Sequence, residues 1–142
     1  MGNKLINTAN VRVRYAETDK MGVVNNVVYL EYFEVGRAEL MRSYGLPYRL
    51  LEDAGYLLPV IEAHLEYKSS AYYDDLLDIR CTLEYENKPT IKFKYEVYRV
   101  NILVVSGYTV HSYLRNDTRK PVKPPKIFTD ALKKILVEQE NL

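Results

Sequence analysis

From Leu77 to Val97 apolar and polar side chains trade places almost residue by residue, and this alternation constrains the fold more than any other feature of the chain. Leu77, Ile79, Cys81, Leu83 and Tyr85 are interleaved with Asp78, Arg80, Thr82, Glu84 and Glu86, and Ile91, Phe93, Tyr95 and Val97 with Lys92, Lys94 and Glu96. A period of two sends successive side chains to opposite faces of a strand, so both runs predict strands with one buried and one wet face. Residues 87–89, Asn-Lys-Pro, supply the turn between them. Residues 103–114 predict another long strand, and residues 57–67 an earlier one whose alternation is less clean.

Upstream of residue 57 the period changes. Residues 10–16 alternate as a half-buried strand, with Val11, Val13 and Tyr15 on one face. Tyr29, Tyr32, Phe33, Leu40, Met41 and Tyr44 then recur at helical spacing, while Glu31, Glu34, Glu39 and Arg42 fall elsewhere, which predicts an amphipathic helix over residues 26–44. Gly45 is placed to end it, and Pro47 to open a short helix that Gly55 stops. Residues 117–126, DTRKPVKPPK, are proline-rich and basic and cannot lie in a central strand, whereas residues 128–136 predict a closing helix. The order predicts an α+β domain in which one long helix packs on a curved antiparallel sheet of about five strands. The expected core spans residues 8–127, and the C-terminal helix runs to about residue 140. One helix cannot cover a sheet of this size and both its edges, so a homodimer or homotetramer is expected.

Charge and cysteine content exclude several classes. A net charge of +1 argues against a protein built mainly to bind nucleic acid, and no apolar run is long enough for a membrane span or a signal peptide. Cys81 is the only cysteine, so no intrachain disulfide can form, and a cytoplasmic location is the expectation.

The chemistry concentrates in residues 14–34, RYAETDKMGVVNNVVYLEYFE. Asp19 precedes a loop containing Gly22, and the Asn25-Asn26 pair can cap the helix that follows. A carboxylate and a helix N-terminus would then face one point, the first supplying a nucleophile or base and the second unpaired N–H groups that polarise a carbonyl.

These residues carry a resemblance. Tyr15, Glu17, Thr18, Asp19, Gly22, Val23, Val24 and Tyr29, the Tyr-Phe-Glu run on the helix, and later Glu66-Tyr67-Lys68 with residues 71–76 resemble the hotdog-fold acyl-CoA thioesterases of the 4-hydroxybenzoyl-CoA thioesterase and YbgC type. The resemblance covers about residues 8–127. It implies a thioester hydrolase that needs no dissociable cofactor or metal, with Asp19 as the catalytic carboxylate and the Asn26 backbone N–H polarising the thioester carbonyl. Gly22, Val24, Asn25 and Tyr29 become expected substrate contacts, and an acyl-CoA, or an acyl carrier protein thioester, the expected substrate. Two departures stand out. Related sequences carry a histidine in the loop where this chain reads Gly22-Val23-Val24-Asn25-Asn26, and a proline where it has Ser70. The missing histidine leaves a non-catalytic acyl-thioester-binding protein as the alternative, and weighs against hydratase chemistry.

Other ionisable groups are weaker candidates. Glu31 and Glu34 on the helix fit a solvated or interface face, and His64 and His111 lie on separate strands without metal-ligand spacing. Arg115, Arg119, Lys120, Lys123 and Lys126 are opposed only by Asp117 and form the most basic segment. Arg119 and Lys123, with Lys88 at the hairpin, are candidates for the phosphates of coenzyme A, and Thr90 for its pantetheine arm.

Overall fold

The computed structural model describes residues 3–141. Strand β1 (Lys4–Arg12) is followed by a 3-10 turn at Tyr15–Glu17, helix α1 (Val28–Ser43) and helix α2 (Tyr48–Asp53). Strands β2 (Tyr56–Leu57), β3 (Val60–Tyr67), β4 (Leu76–Glu84), β5 (Thr90–Arg99), β6 (Ile102–Ser112) and β7 (Leu114–Arg115) come next, and helix α3 (Lys126–Glu140) closes the chain. Five strands form one antiparallel sheet in the order β1-β4-β5-β6-β3, and β2 pairs with β7 in a separate two-stranded ribbon.

The alternation in β4 and β5 becomes a two-faced sheet. Leu77, Ile79, Cys81, Leu83, Phe93, Tyr95 and Val97 are at most 1% exposed and lie under α1, while Arg80, Lys92 and Lys94 face outward. From α1, Tyr29, Tyr32, Phe33, Leu40 and Met41 enter this core, and Phe33 stacks on Tyr95 with ring centroids 4.1 Å apart. Gly36 makes the close approach possible, because a Cβ there would stand 2.8 Å from Ile79 Cγ2. Gly107 does the same between β6 and β3, where a Cβ would overlap the His64 carbonyl oxygen.

A directed polar chain crosses the same core. Leu58 O can only accept, so His111 carries its proton on Nδ1 (3.0 Å), and its Nε2 accepts from the Thr109 hydroxyl at 2.8 Å. Thr109 in turn accepts from Tyr95 O–H at 2.6 Å, and Tyr95 accepts from Arg37 Nη1 at 3.4 Å. Burial is the leading influence that pushes the His111 pKa down to about 4, so the ring is neutral at pH 7.

The structure differs from the sequence expectations at element ends. The central helix is short rather than long: it has 16 residues and begins at Val28, not at 26, because Asn25 turns the chain first. The Asn25 carbonyl accepts Val28 N–H at 2.9 Å and its side-chain oxygen accepts Val27 N–H at 3.3 Å. Asn25 is therefore not the N-cap, which is Val27, and Asn26 lies in the turn rather than in the helix. The expected strand over residues 57–67 divides at Pro59, since β2 and β3 pair with different partners. The first strand starts at Lys4 and stops at Arg12, leaving Tyr15, expected on its buried face, 77% exposed in the 3-10 turn. Helix α3 begins two residues early, after Pro125.

Every residue of β3 except Leu65 is exposed, and the strand forms one edge of the sheet. Val60, Ile61 and Tyr67 on this edge are 46%, 57% and 53% exposed, and Val27 just before α1 and Leu30 on it are 63% and 41% exposed. An edge this long and apolar is an unfinished surface.

Candidate active site

The loop between β1 and α1 is held by the buried carboxylate of Glu17. Glu17 is 8% exposed and accepts from the Arg14 backbone N–H at 2.8 Å and from Tyr32 O–H at 2.9 Å, tying the loop to the second turn of α1. Burial first, and the Glu17 hydrogen bond second, push the Tyr32 phenol well above its ordinary range, so it remains a donor. The Glu17 carbonyl then accepts Asn25 N–H at 2.9 Å, which closes the loop at its far end.

Asp19 lies inside this closed loop. Its carbonyl accepts Gly22 N–H at 2.9 Å, with Gly22 at φ 80°, a conformation that favours glycine. Its Oδ1 accepts Met21 N–H at 2.8 Å and Val23 N–H at 3.4 Å. The carboxylate is thus oriented through one oxygen, and the other has no hydrogen-bond partner among the described residues.

Asp19, Met21, Val23, Val24, Asn26, Tyr29, Tyr67, Ser69 and Ser70 line one open cleft of about 400 Å³. Asn26 enters with its carbonyl accepting from Tyr67 O–H at 3.1 Å, while its N–H has no partner among the described residues. Tyr29 is 3% exposed, and its pKa is pushed up to about 12 chiefly by burial, with a hydrogen bond from the Ala71 backbone opposing. It is a neutral phenol at pH 7. Tyr67 packs edge-on to Tyr29 with centroids 5.9 Å apart, so this side of the cleft is aromatic. The cleft is therefore lined by a residue with a free carboxylate oxygen and by a residue with an unpaired N–H just before the start of a helix. That combination fits a nucleophile or base acting on a carbonyl whose oxygen is stabilised by the N–H.

The structure brings together only part of the predicted set. Asp19, Val24, Asn26 and Tyr29 share the cleft, whereas Gly22 and Asn25 shape the loop and do not line it. Lys88 and Lys123 meet elsewhere, in a cleft of about 460 Å³ with Tyr85, Thr129 and Lys133, and Thr90 borders Lys88 on its other side. Arg119 belongs to neither cleft and donates from Nε to Asn116 O at 2.9 Å. Glu31 and Glu34 are exposed on α1, away from the cleft. Sequence reasoning missed the supporting role of Glu17 and the cleft-lining Tyr67, Ser69 and Ser70. Their partners are 15 residues away for Glu17 and 41 for Tyr67, beyond any local period. Among the described residues no cluster of histidine, cysteine or carboxylate side chains could hold a metal ion, and no helix is long and apolar enough to cross a membrane.

Residues 13–132 match the family described as the thioesterase-like superfamily. The acyl-CoA thioesterase YbgC of Haemophilus influenzae is 34% identical over 118 residues, which cover 82% of this chain and 86% of that protein. A hypothetical protein of Thermus thermophilus has a solved structure that superposes with a TM-score of 0.84 at 31% identity, covering 92% of this chain and 97% of that one. The DHNA-CoA thioesterase of Staphylococcus aureus superposes with a TM-score of 0.85 at 28% identity, covering 96% and 94%.

Proposed function

Because the chain belongs to the thioesterase-like superfamily, we propose that it hydrolyses an acyl-CoA thioester to free coenzyme A and a carboxylic acid. The observation that carries this reading is the shared cleft of Asp19 and the unpaired Asn26 N–H.

The thioester carbonyl lies with its oxygen toward the Asn26 N–H, which strengthens its hydrogen bond as negative charge develops on that oxygen. The free oxygen of Asp19 then acts in one of two ways. It adds to the carbonyl carbon, the C–S bond breaks and the thiolate leaves with a proton from solvent; water next hydrolyses the mixed anhydride and regenerates the carboxylate. Alternatively it takes a proton from a water that attacks the carbonyl, and the thiol leaves as the tetrahedral adduct collapses. The anchored Oδ1 fixes the direction of approach in both routes. Tyr29 and Tyr67 supply the aromatic wall beside the acyl group.

The functional unit in this reading is at least a dimer, since the exposed β3 edge borders the cleft through Tyr67. The carrier is coenzyme A, and Lys88 and Lys123 are the cations that fit its phosphates. Thiol release is measured over a panel of aliphatic and aromatic acyl-CoAs, with acyl carrier protein thioesters as a second arm, for the natural protein and Asp19→Asn. The substitution is expected to lower kcat by roughly 10²–10⁴-fold. Equal turnover by both proteins removes Asp19 from the mechanism. Tight acyl-CoA binding with no thiol release by the natural protein replaces the enzyme with a binding protein, the reading favoured by the absence of a histidine from the cleft.

A further inference from the structure

Four residues that line the Asp19 cleft carry hydroxyl groups: Tyr29, Tyr67, Ser69 and Ser70. Three of these groups are committed to the main chain. Tyr67 donates to Asn26 O at 3.1 Å, Ser69 Oγ donates to Leu103 O at 2.8 Å, and the Tyr29 oxygen is held by the Ala71 backbone. Ser70 is different. Its hydroxyl has no hydrogen-bond partner among the described residues, and although the residue is half-buried, its oxygen keeps access to solvent instead of being sealed in the core. A hydroxyl both donates and accepts, so this one has its whole capacity unspent.

The peptide that carries it is pinned at three successive residues. Ser69 is tied to β6 through its hydroxyl, the Ser70 carbonyl accepts from Arg99 Nε on β5 at 3.3 Å, and the Ala71 carbonyl accepts Val24 N–H at 2.9 Å. Arg99 is held in turn by Asp75, with Nε 3.6 Å from Oδ2. The position of Ser70 relative to the start of α1 follows from two short antiparallel bridges, Thr18 with Val24 and Val23 with Tyr72. They lay three segments side by side, with Asp19 on one flank of residues 23–24 and residues 71–72 on the other. Continuing the second register sets Ser70 beside Asn25, one residue from the unpaired N–H of Asn26. The hydroxyl therefore belongs to the side of the cleft that receives the carbonyl oxygen, across residues 23–24 from the carboxylate.

A single N–H is a sparse provision for that oxygen. As a nucleophile adds to the thioester carbon, the electron pair of the C=O π bond moves onto the oxygen, which then accepts more than one hydrogen bond. Related sequences have proline where this chain has Ser70, and proline brings no donor. We propose that Ser70 is a catalytic residue, the second donor to the oxyanion: its O–H and the Asn26 N–H converge on the thioester oxygen. When the C–S bond breaks, the electron pair returns to the carbonyl, and Ser70 keeps its proton throughout. The role is the same whether Asp19 adds to the carbonyl itself or activates water. It rests on the thioesterase reading and adds to it a residue that this chain supplies in its own way.

Steady-state thiol release tests it, with the acyl-CoA that the natural protein turns over fastest, for the natural protein, Ser70→Ala and Ser70→Thr. Ser70→Ala is expected to lower kcat about 10²-fold, the cost of one lost donor to an oxyanion, with KM within about twofold of natural. Ser70→Thr keeps a hydroxyl at the same place and recovers most of that loss. The dithioester analogue of the same substrate gives a readout that a structural role would not move. Its developing charge lies on sulfur, a weak acceptor, so the Ser70→Ala defect shrinks to a few-fold. Unchanged kcat in Ser70→Ala overturns the proposal. So does a defect as large with the dithioester as with the thioester, which assigns Ser70 to the scaffold of its loop. A natural protein that releases no thiol overturns the thioesterase reading and this proposal together, and that result is visible before any variant is made.

Discussion

Acid should loosen this fold at His111 in particular. The ring is 0% exposed, donates from Nδ1 to Leu58 O and accepts at Nε2 from Thr109, so an added proton at Nε2 meets a hydroxyl that must first turn its own hydrogen away. Its pKa is pushed down to about 4 from the ordinary 6.5, by burial with the charge of Arg37 adding to it. The unfolded chain binds the proton as pH falls below 6.5 while the native chain refuses it until about pH 4, so stability is present above 6.5 and is lost across that window. Integrating the difference in bound protons gives a loss of about 2 kcal/mol by pH 5 and about 3 kcal/mol by pH 4 from this residue. Urea unfolding at pH 7 and pH 5, for the natural protein and His111→Gln, isolates the effect, because every other ionisable side chain is common to both. The natural protein should lose about 2 kcal/mol more than the variant between the two pH values. Equal losses would refute the assignment of a neutral, proton-excluding His111.

Two further substitutions probe the frame of the cleft. Gly107→Ala places a methyl group against the His64 carbonyl and should cost about 1–3 kcal/mol in urea unfolding, with amide exchange rising first in β3. Tyr67→Phe removes the hydrogen bond to Asn26 O, worth about 1 kcal/mol, and should lower kcat several-fold with KM little changed; an unaltered kcat would show that the Asn26 turn holds without it.

Strands β4 and β5 were legible in the sequence because one face of each lies wholly beneath α1 and the other in solvent, so their period of two survives intact. Strand β1 was half legible, since Leu5 is buried but Lys4, Asn7 and Asn10 owe their strand conformation to register with Glu84, Cys81 and Asp78, more than sixty positions away. The start of α1 was misplaced for a local reason. Asn25 satisfies the chemistry of a cap, yet its side chain serves a turn that precedes the helix. In the cleft, Asp19 and Asn26 come from one short segment whose sequence already groups them, whereas Glu17 gains its role from Tyr32, and Tyr67 arrives from a strand at the edge of the sheet. The meeting of Lys88 with Lys123 was anticipated only as shared charge; the cleft is made by α3, whose Thr129 and Lys133 complete it.

Gly36 lets the central helix rest directly on the sheet, where a side chain would run into Ile79, with roughly 12 Å of helix toward Val28 on one side and roughly 10 Å toward Ser43 on the other, at about 1.5 Å per residue. Tyr44 is tied to β1 through the Ile6 carbonyl and to α3 through Gln139. The C-terminal helix thus helps to fix the end of α1 opposite the cleft, and the position of the cleft-side end is set along one continuous helix from there.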